Sequence, residues 1–195
     1  MNNYEYIIAG LPLLSKDGRE NPDTEGLLAD IREQLSGKDR ATLDFLLSSY
    51  EPENLNAEFY LKAAKDHNSF IRKFFLVDLG VRNAKVEYLN RTLGRPEGTD
   101  VLITDPEAEP VEFEQKPEVD AILENGDILA RERELDDFYW KTADSITVLD
   151  VFDLDIILAF VVKLKLVERW LRLDEATGRE LFRKLVKEIK ENRNI

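Results

Sequence analysis

Cysteine is absent from this 195-residue chain, and histidine occurs once, at His67 in "KDHNSF". The first absence excludes disulfides, thiolate catalysis and cysteine metal sites, and it suits a reducing compartment. The second rules out a histidine-based metal cage. It also leaves a Ser-His-Asp arrangement a single candidate base, with no nucleophile-elbow motif to serve. His67 itself reads as a surface or cap residue at a helix start. Basic residues are also in short supply, with 27 Lys and Arg against 40 Asp and Glu, a net charge of −13. Nucleic-acid binding needs surplus cations to neutralise phosphates, so that class is disfavoured. The glycines of "GRPEG" lack the Lys-Ser/Thr ending of a phosphate loop.

Long apolar runs are missing as well. The N-terminal run Ile7–Leu14 is interrupted by Gly10 and Pro12 and has no basic leader, so it makes a poor signal peptide. The most apolar stretch is "LDVFDLDIILAFVVKLKLVERWLRL", Leu149–Leu173, whose uninterrupted core is only Ile156–Val162. A membrane-spanning helix needs about 20 predominantly apolar residues. Here Asp150, Asp153 and Asp155 precede the run, while Lys163 and Lys165 follow it, so the stretch is not an anchor. Phe152, Ile156, Phe160, Leu164, Val167 and Leu171 fall at helical spacing. Leu154, Ile157, Leu158 and Val161 widen that stripe beyond the face of an ordinary surface helix. Such a helix must be covered on most sides, by its own chain or by another subunit.

What is present is a globular composition, 43% hydrophobic and 34% charged. Prolines divide it. Four of the seven (Pro96, Pro106, Pro110, Pro117) lie in "RPEGTDVLITDPEAEPVEFEQKPE", an acidic connection whose proline density opposes a helix. The chain therefore reads as an N-terminal helical half (1–95), a connection (96–118) and a C-terminal helical half (119–195), forming one compact unit. Within the connection, "VLIT" and "VEFE" are compatible with a small β-hairpin.

The rest is helical. Asn21 or Thr24 can cap a helix running to about Leu35, Ser36 can cap the next, and a further segment begins near Asn54. A long helix is expected from Ser69 to about Leu93. Phe70, Phe74, Val77, Val81, Ala84 and Tyr88 form one seam on it, and Ile71, Phe75, Leu79, Val86, Leu89 and Leu93 a second stripe, so it is sandwiched. "ILARERELDDFYWKTADSI" reads as a charged helix, and Asp153 caps the apolar one. A last helix starts near Asp174, burying Leu181, Phe182, Leu185 and Ile189 and presenting Arg179, Arg183, Lys187 and Lys190. The fold class is all-α, a multi-helix bundle with long sandwiched helices. Charge is polarised along it: from Ala159 onward there are ten basic and six acidic residues, and before it 17 basic and 34 acidic.

Few residues suggest chemistry. Asp150, Asp153 and Asp155 in "DVFDLD" could ligate magnesium, but read rather as helix capping and charge that complements the helix dipole. Glu132, Glu134, Asp136 and Asp137 could pair for acid–base work, but interleaved with Arg131 and Arg133 they read as a solvated face. Trp140 and Trp170 read as core or interface aromatics. No catalytic, cofactor-binding or metal-binding set is assigned.

"YEYIIAGLP", "FFLVDLGVRN", "FDLDIILAFVVKLKLVERW" and "LDEATGRELFRKLV" resemble, in order, segments of an uncharacterised bacterial family. Its genes sit among those of V-type (archaeal-like) ATP synthase subunits in Bacteroidetes and related groups. "DLGVRNAKVEYLNR" (Asp78, Arg82, Asn83, Arg91) is similar to the acidic-Asn-basic helix of the C-type socket subunit of V-type ATPases, the counterpart of the d-type one in eukaryotes. "KLKLVERWLRL" (Lys165, Glu168, Arg169) is similar to the late Lys-Glu-Glu-type helix of the same socket protein. That protein is considerably longer and is built from three similar helical units. The resemblance implies an all-helical, non-catalytic coupling subunit without cofactors, cytoplasmic and peripheral to the inner membrane. It would join the central stalk to the membrane rotor ring without inserting in the bilayer. Arg82, Asn83, Glu168, Arg169 and Trp170 are the implied partner-interface residues. The alternatives are an ATPase assembly or regulatory factor and a magnesium-dependent enzyme using the Asp cluster.

Overall fold

A computed structural model describes residues 4–16, 22–104 and 112–172. Among them are eight α-helices and no strand: α1 (Glu5–Gly10), α2 (Thr24–Gln34), α3 (Gly37–Ser48), α4 (Ala57–Ala64), α5 (Ser69–Leu93), α6 (Lys116–Leu123), α7 (Ile128–Ile146) and α8 (Leu154–Arg172). The helix expected near Asp174 lies outside the described residues. So does part of the expected hairpin; Val101–Ile103 and 112–114 take no strand pairing.

Most helices begin where a short polar side chain can accept a backbone N–H. Ser36, Asn56, Asn68 and Asp127 cap α3, α4, α5 and α7, each through its side-chain oxygen. Asp23, rather than Thr24, caps α2, accepting from Gly26 N; Asn21 lies outside the described residues. Asp153 accepts from Asp155 N at 3.2 Å at the start of α8, as expected. Helix α5 stops at Gly94, whose φ of 65° a side chain would disfavour. The N–H of Arg95 then bonds back to the Asn90 carbonyl at 2.9 Å. Two short helices run against the sequence reading. The expectation that prolines oppose a helix throughout 96–118 fails at its end, because Pro117 falls in the first turn of α6, where no N–H is needed. Helix α1, a single six-residue helix ahead of Pro12, gives too brief a period to read.

Helix α8 sits at the centre, packed by α2, α3, α5 and α7. Ile157, Leu158, Val161 and Leu164 are fully buried, and Val162 nearly so, which explains the wide apolar girth: this chain's own helices cover it. No helix among the described residues is long and apolar enough to cross a membrane. The main core joins α8 to α2, α3, α4 and the first half of α5. Its aromatic centre stacks Phe45 on Phe59 (centroids 4.7 Å apart), with Phe75 edge-on to Phe59 at 4.9 Å. A second, smaller core unites Val81 and Ala84 of α5 with Val119 and Leu123 of α6 and Leu135 and Phe138 of α7. Helix α5 is thus a wall shared by both. Its first seam is buried in both cores, whereas the second stripe is buried at Ile71 and Phe75 but emerges at Leu89 and Leu93.

Gly80 on α5 lies under the ring of Phe113, and a Cβ there would come within 2.5 Å of two ring carbons. Ala favours a helix over Gly by about 1 kcal/mol, but the overlap should dominate. Gly80→Ala is expected to lower stability by about 1–3 kcal/mol in urea unfolding. In a Phe113→Ala background the same change should become neutral or stabilising.

Candidate functional site

Helical spacing gathers polar side chains where α4, α5, α7 and α8 meet. Asp78 and Arg82 are four residues apart on α5, so they share a face. Glu132, Asp136 and Tyr139 follow at steps of four and three on α7, and on α8 Glu168 and Arg169 lie three and four residues after Lys165. Asp78 lies between the two cores and accepts a hydroxyl on each oxygen, from Tyr60 at 2.6 Å and Tyr139 at 2.7 Å. Burial, and after it the charge of Asp78, holds both tyrosines well above their ordinary pKa, so they stay neutral donors. Arg82 acts in the opposite direction on Tyr60. Its own Nε is buried without a hydrogen-bond partner among the described residues.

Beside this group Asp136 is only 6% exposed. One carboxylate oxygen accepts Arg169 Nη1 at 2.9 Å, and the other accepts Trp170 Nε1 at 2.6 Å. Arg169 also pairs with Glu132, and the Arg133 guanidinium lies 3.7 Å from the centre of the Trp170 ring. Lys165 bonds Glu168 at 2.8 Å and lies 5.8 Å from the Tyr50 ring centre. Tyr50 is 40% exposed as a residue, but burial of its hydroxyl, and after it the charges of Asp78, Asp136 and Glu168, raise its pKa. The cluster couples one helix to the next through hydrogen-bonded charges, fixing their register. Such networks favour one arrangement to the extent that their members are satisfied, and the Arg82 Nε is the exception here.

Burial also raises the Asp136 carboxyl, with Glu132 adding to the shift and Arg169 and Trp170 opposing it. A carboxyl raised by folding favours the native state when protonated. That contribution is complete below its unfolded pKa, about 3.9, and is lost as pH rises through the folded value. Stability relative to Asp136→Asn is therefore expected to decline from about pH 4 towards neutrality. Urea midpoints of both proteins across that range would show a constant difference if Asp136 were not linked to folding.

Of the residues singled out in the sequence, Arg82, Glu168, Arg169 and Trp170 come together in this cluster. Asn83 does not: its amide donates to the Leu102 carbonyl at 3.0 Å and accepts the Leu102 N–H at 2.9 Å, fastening the connection to α5. The expectation of a solvated acidic face on α7 is corrected at Asp136, which is buried and paired; Glu134 and Asp137 are exposed. Asp78 and its tyrosines were not foreseen as a unit, because Tyr60 and Tyr139 are far apart in sequence. The signal available for Asp136 was its adjacency to Leu135 and its three-residue step to Tyr139.

The "DVFDLD" carboxylates are occupied differently. Asp155 accepts Asn68 Nδ2 at 2.6 Å on one oxygen and Ser69 Oγ at 2.7 Å on the other, tying α8 to the start of α5. No group of three or more acidic, histidine or cysteine side chains among the described residues is arranged to hold a metal ion. His67 is exposed, with Nδ1 3.2 Å from Asp66. The ammonium groups of Lys16 and Lys163 lie 5.5 and 5.4 Å from the centre of the Trp140 ring.

Residues 53–193 match the model of a family described as a protein of unknown function, DUF2764. No curated protein and no solved structure matches the chain.

Proposed function

The chain belongs to the DUF2764 family, and we propose that it is a non-catalytic coupling subunit of a V-type (archaeal-like) ATP synthase. It joins the central stalk to the membrane rotor ring from the cytoplasmic side, peripheral to the inner membrane and held there by protein contacts. The observation that carries this reading is the meeting of the two segments that resemble the C-type socket protein. "DLGVRN" supplies Asp78 and Arg82 from α5, and "KLKLVERW" supplies Lys165, Glu168, Arg169 and Trp170 from α8. Tyr139 and Asp136 of α7 hold the two segments, bonding Asp78 on one side and Arg169 and Trp170 on the other.

A rotor part must pass torque without yielding, and this requires helices fixed against one another rather than a group tuned for proton transfer. The central α8, packed by four helices and tied by Asp155 and Asp136 to α5 and α7, meets that requirement. Purification of the native ATPase followed by quantitative mass spectrometry tests the proposal. This chain is expected in a fixed ratio to the central-stalk subunits. Its absence would overturn the proposal, and trace amounts would indicate an assembly factor that leaves before the enzyme is complete.

A further inference from the structure

Pro12, Leu13 and Leu14, which follow α1, line a cavity of about 340 Å³ with Pro22 and Leu27 at the start of α2 and Val167 near the end of α8. Leu14 and Leu27 pack in part against the main core and Val167 is buried, whereas Leu13 is 91% exposed. In size the cavity falls at the low end of small-ligand sites, about 300–1,000 Å³, but such sites need polar groups that orient the ligand. The charged side chain in this lining, Asp23, is engaged in capping α2. An apolar side chain suits the space better than a polar ligand does.

The chain's own sequence after α8 supplies an occupant within reach. Leu181, Phe182, Leu185 and Ile189 fall on one side at helical spacing, and Arg179 and Lys184 fall at the two margins of that stripe. Thr177 and Glu180 have the spacing of a capping box, the mark of a new helix start, so the direction of α8 need not continue past Arg172. Val167 lies five residues before Arg172, and Phe182 five after Thr177. At about 1.5 Å per helical residue, a chain that reverses between them brings Phe182 level with Val167. Charge favours the same seat. From Arg179 onward six basic residues stand against three acidic ones, while Asp23, Glu25, Asp30 and Glu33 of α2 and its cap are offset by Arg32 alone. The family match runs to residue 193 and so takes in both Val167 and the stripe. We propose that residues 177–190 dock on the α1–α2 segment and α8 as an amphipathic helix, with Phe182 and Leu185 entering the cavity. Docked in this way, the segment turns Arg183, Lys187 and Lys190 outward as a basic ridge on an acidic body. The contact is independent of the rotor assignment.

A photo-crosslinker at position 13 of the full chain tests it. Mass spectrometry is expected to find crosslinks to residues 177–190 of the same molecule. Phe182→Ser/Leu185→Ser should lower their yield at least about tenfold, because two apolar side chains are lost from the contact. Arg183→Ser/Lys187→Ser, on the opposite side of the stripe, should leave the yield unchanged. Equal loss in both variants would overturn the proposal. So would crosslinks that join two copies of the chain or reach another protein, or a small apolar molecule retained by the chain in native mass spectrometry. A second measurement keeps the apolar stripe intact. The chain has no cysteine, so Glu25→Cys/Lys187→Cys carries spin labels at those two positions alone. Helices in contact lie about 8–10 Å apart, so a narrow distribution below about 30 Å is expected. A broad distribution centred beyond it would overturn the proposal. None of these outcomes depends on whether the native ATPase contains the chain.

Discussion

Replacing Leu158 by alanine should destabilise the protein by about 3 kcal/mol, within the 2–5 kcal/mol range of buried leucine truncations. Leu158 is fully buried on α8, the helix against which α2, α3, α5 and α7 pack, so truncation leaves a cavity that the surroundings fill only in part. The same substitution nine residues earlier, at Leu149, which is 90% exposed, should change stability by less than about 0.5 kcal/mol. Urea midpoints of the two variants provide the check. Equal effects would mean that the stretch Leu149–Leu173 is not divided into a covered helix and an uncovered loop. Leu158→Met, which keeps the volume, should cost less than about 1.5 kcal/mol.

The second large effect is expected at Asp78. Asp78→Ala removes the acceptor from Tyr60 and Tyr139 together, leaving two buried hydroxyls without their partner. A hydrogen bond to a charged group contributes about 1.5–3 kcal/mol, so the loss should reach about 3–5 kcal/mol. The origin of the loss can be separated from simple truncation. Tyr60→Phe and Tyr139→Phe should each be costly with Asp78 present, yet harmless or favourable in the Asp78→Ala background. Additive effects in that cycle would show that the three side chains do not act as a unit.

The fold was largely legible because its helices are long, strongly periodic and locally capped. The limits of α5 and α7 follow from Ser69 after Asn68, from Gly94, and from Ile128 after Asp127. The missed helices are those whose signal is short or ambiguous. Proline at the first turn of α6 looks like a breaker unless its position relative to the helix start is known, and α1 is too brief for a period. The candidate site was legible only in part. Arg82, Glu168, Arg169 and Trp170 were identified by resemblance, but their mutual contacts depend on how α5, α7 and α8 cross, which spacing along each helix does not specify. Asp136 shows why: on α7 it has the sequence surroundings of a solvated carboxylate. Its burial follows from Trp170 and Arg169, 34 and 33 residues later. Asn83 shows the converse, a residue in a suggestive motif whose amide is used to fasten the backbone at Leu102.

The position of α5 in the walls of both cores bears on how the protein comes apart. Neither core can open without exposing apolar residues on the same continuous helix, Phe70 to Phe75 on one side and Val81 to Ala84 on the other. Local fluctuations that release one core alone must either break α5 in the middle, next to Asp78, or carry the other core with them. Amides across the centre of α5 should therefore exchange with solvent only through global unfolding, at one shared free energy. A load applied at either end of the helix would be borne by both cores at once.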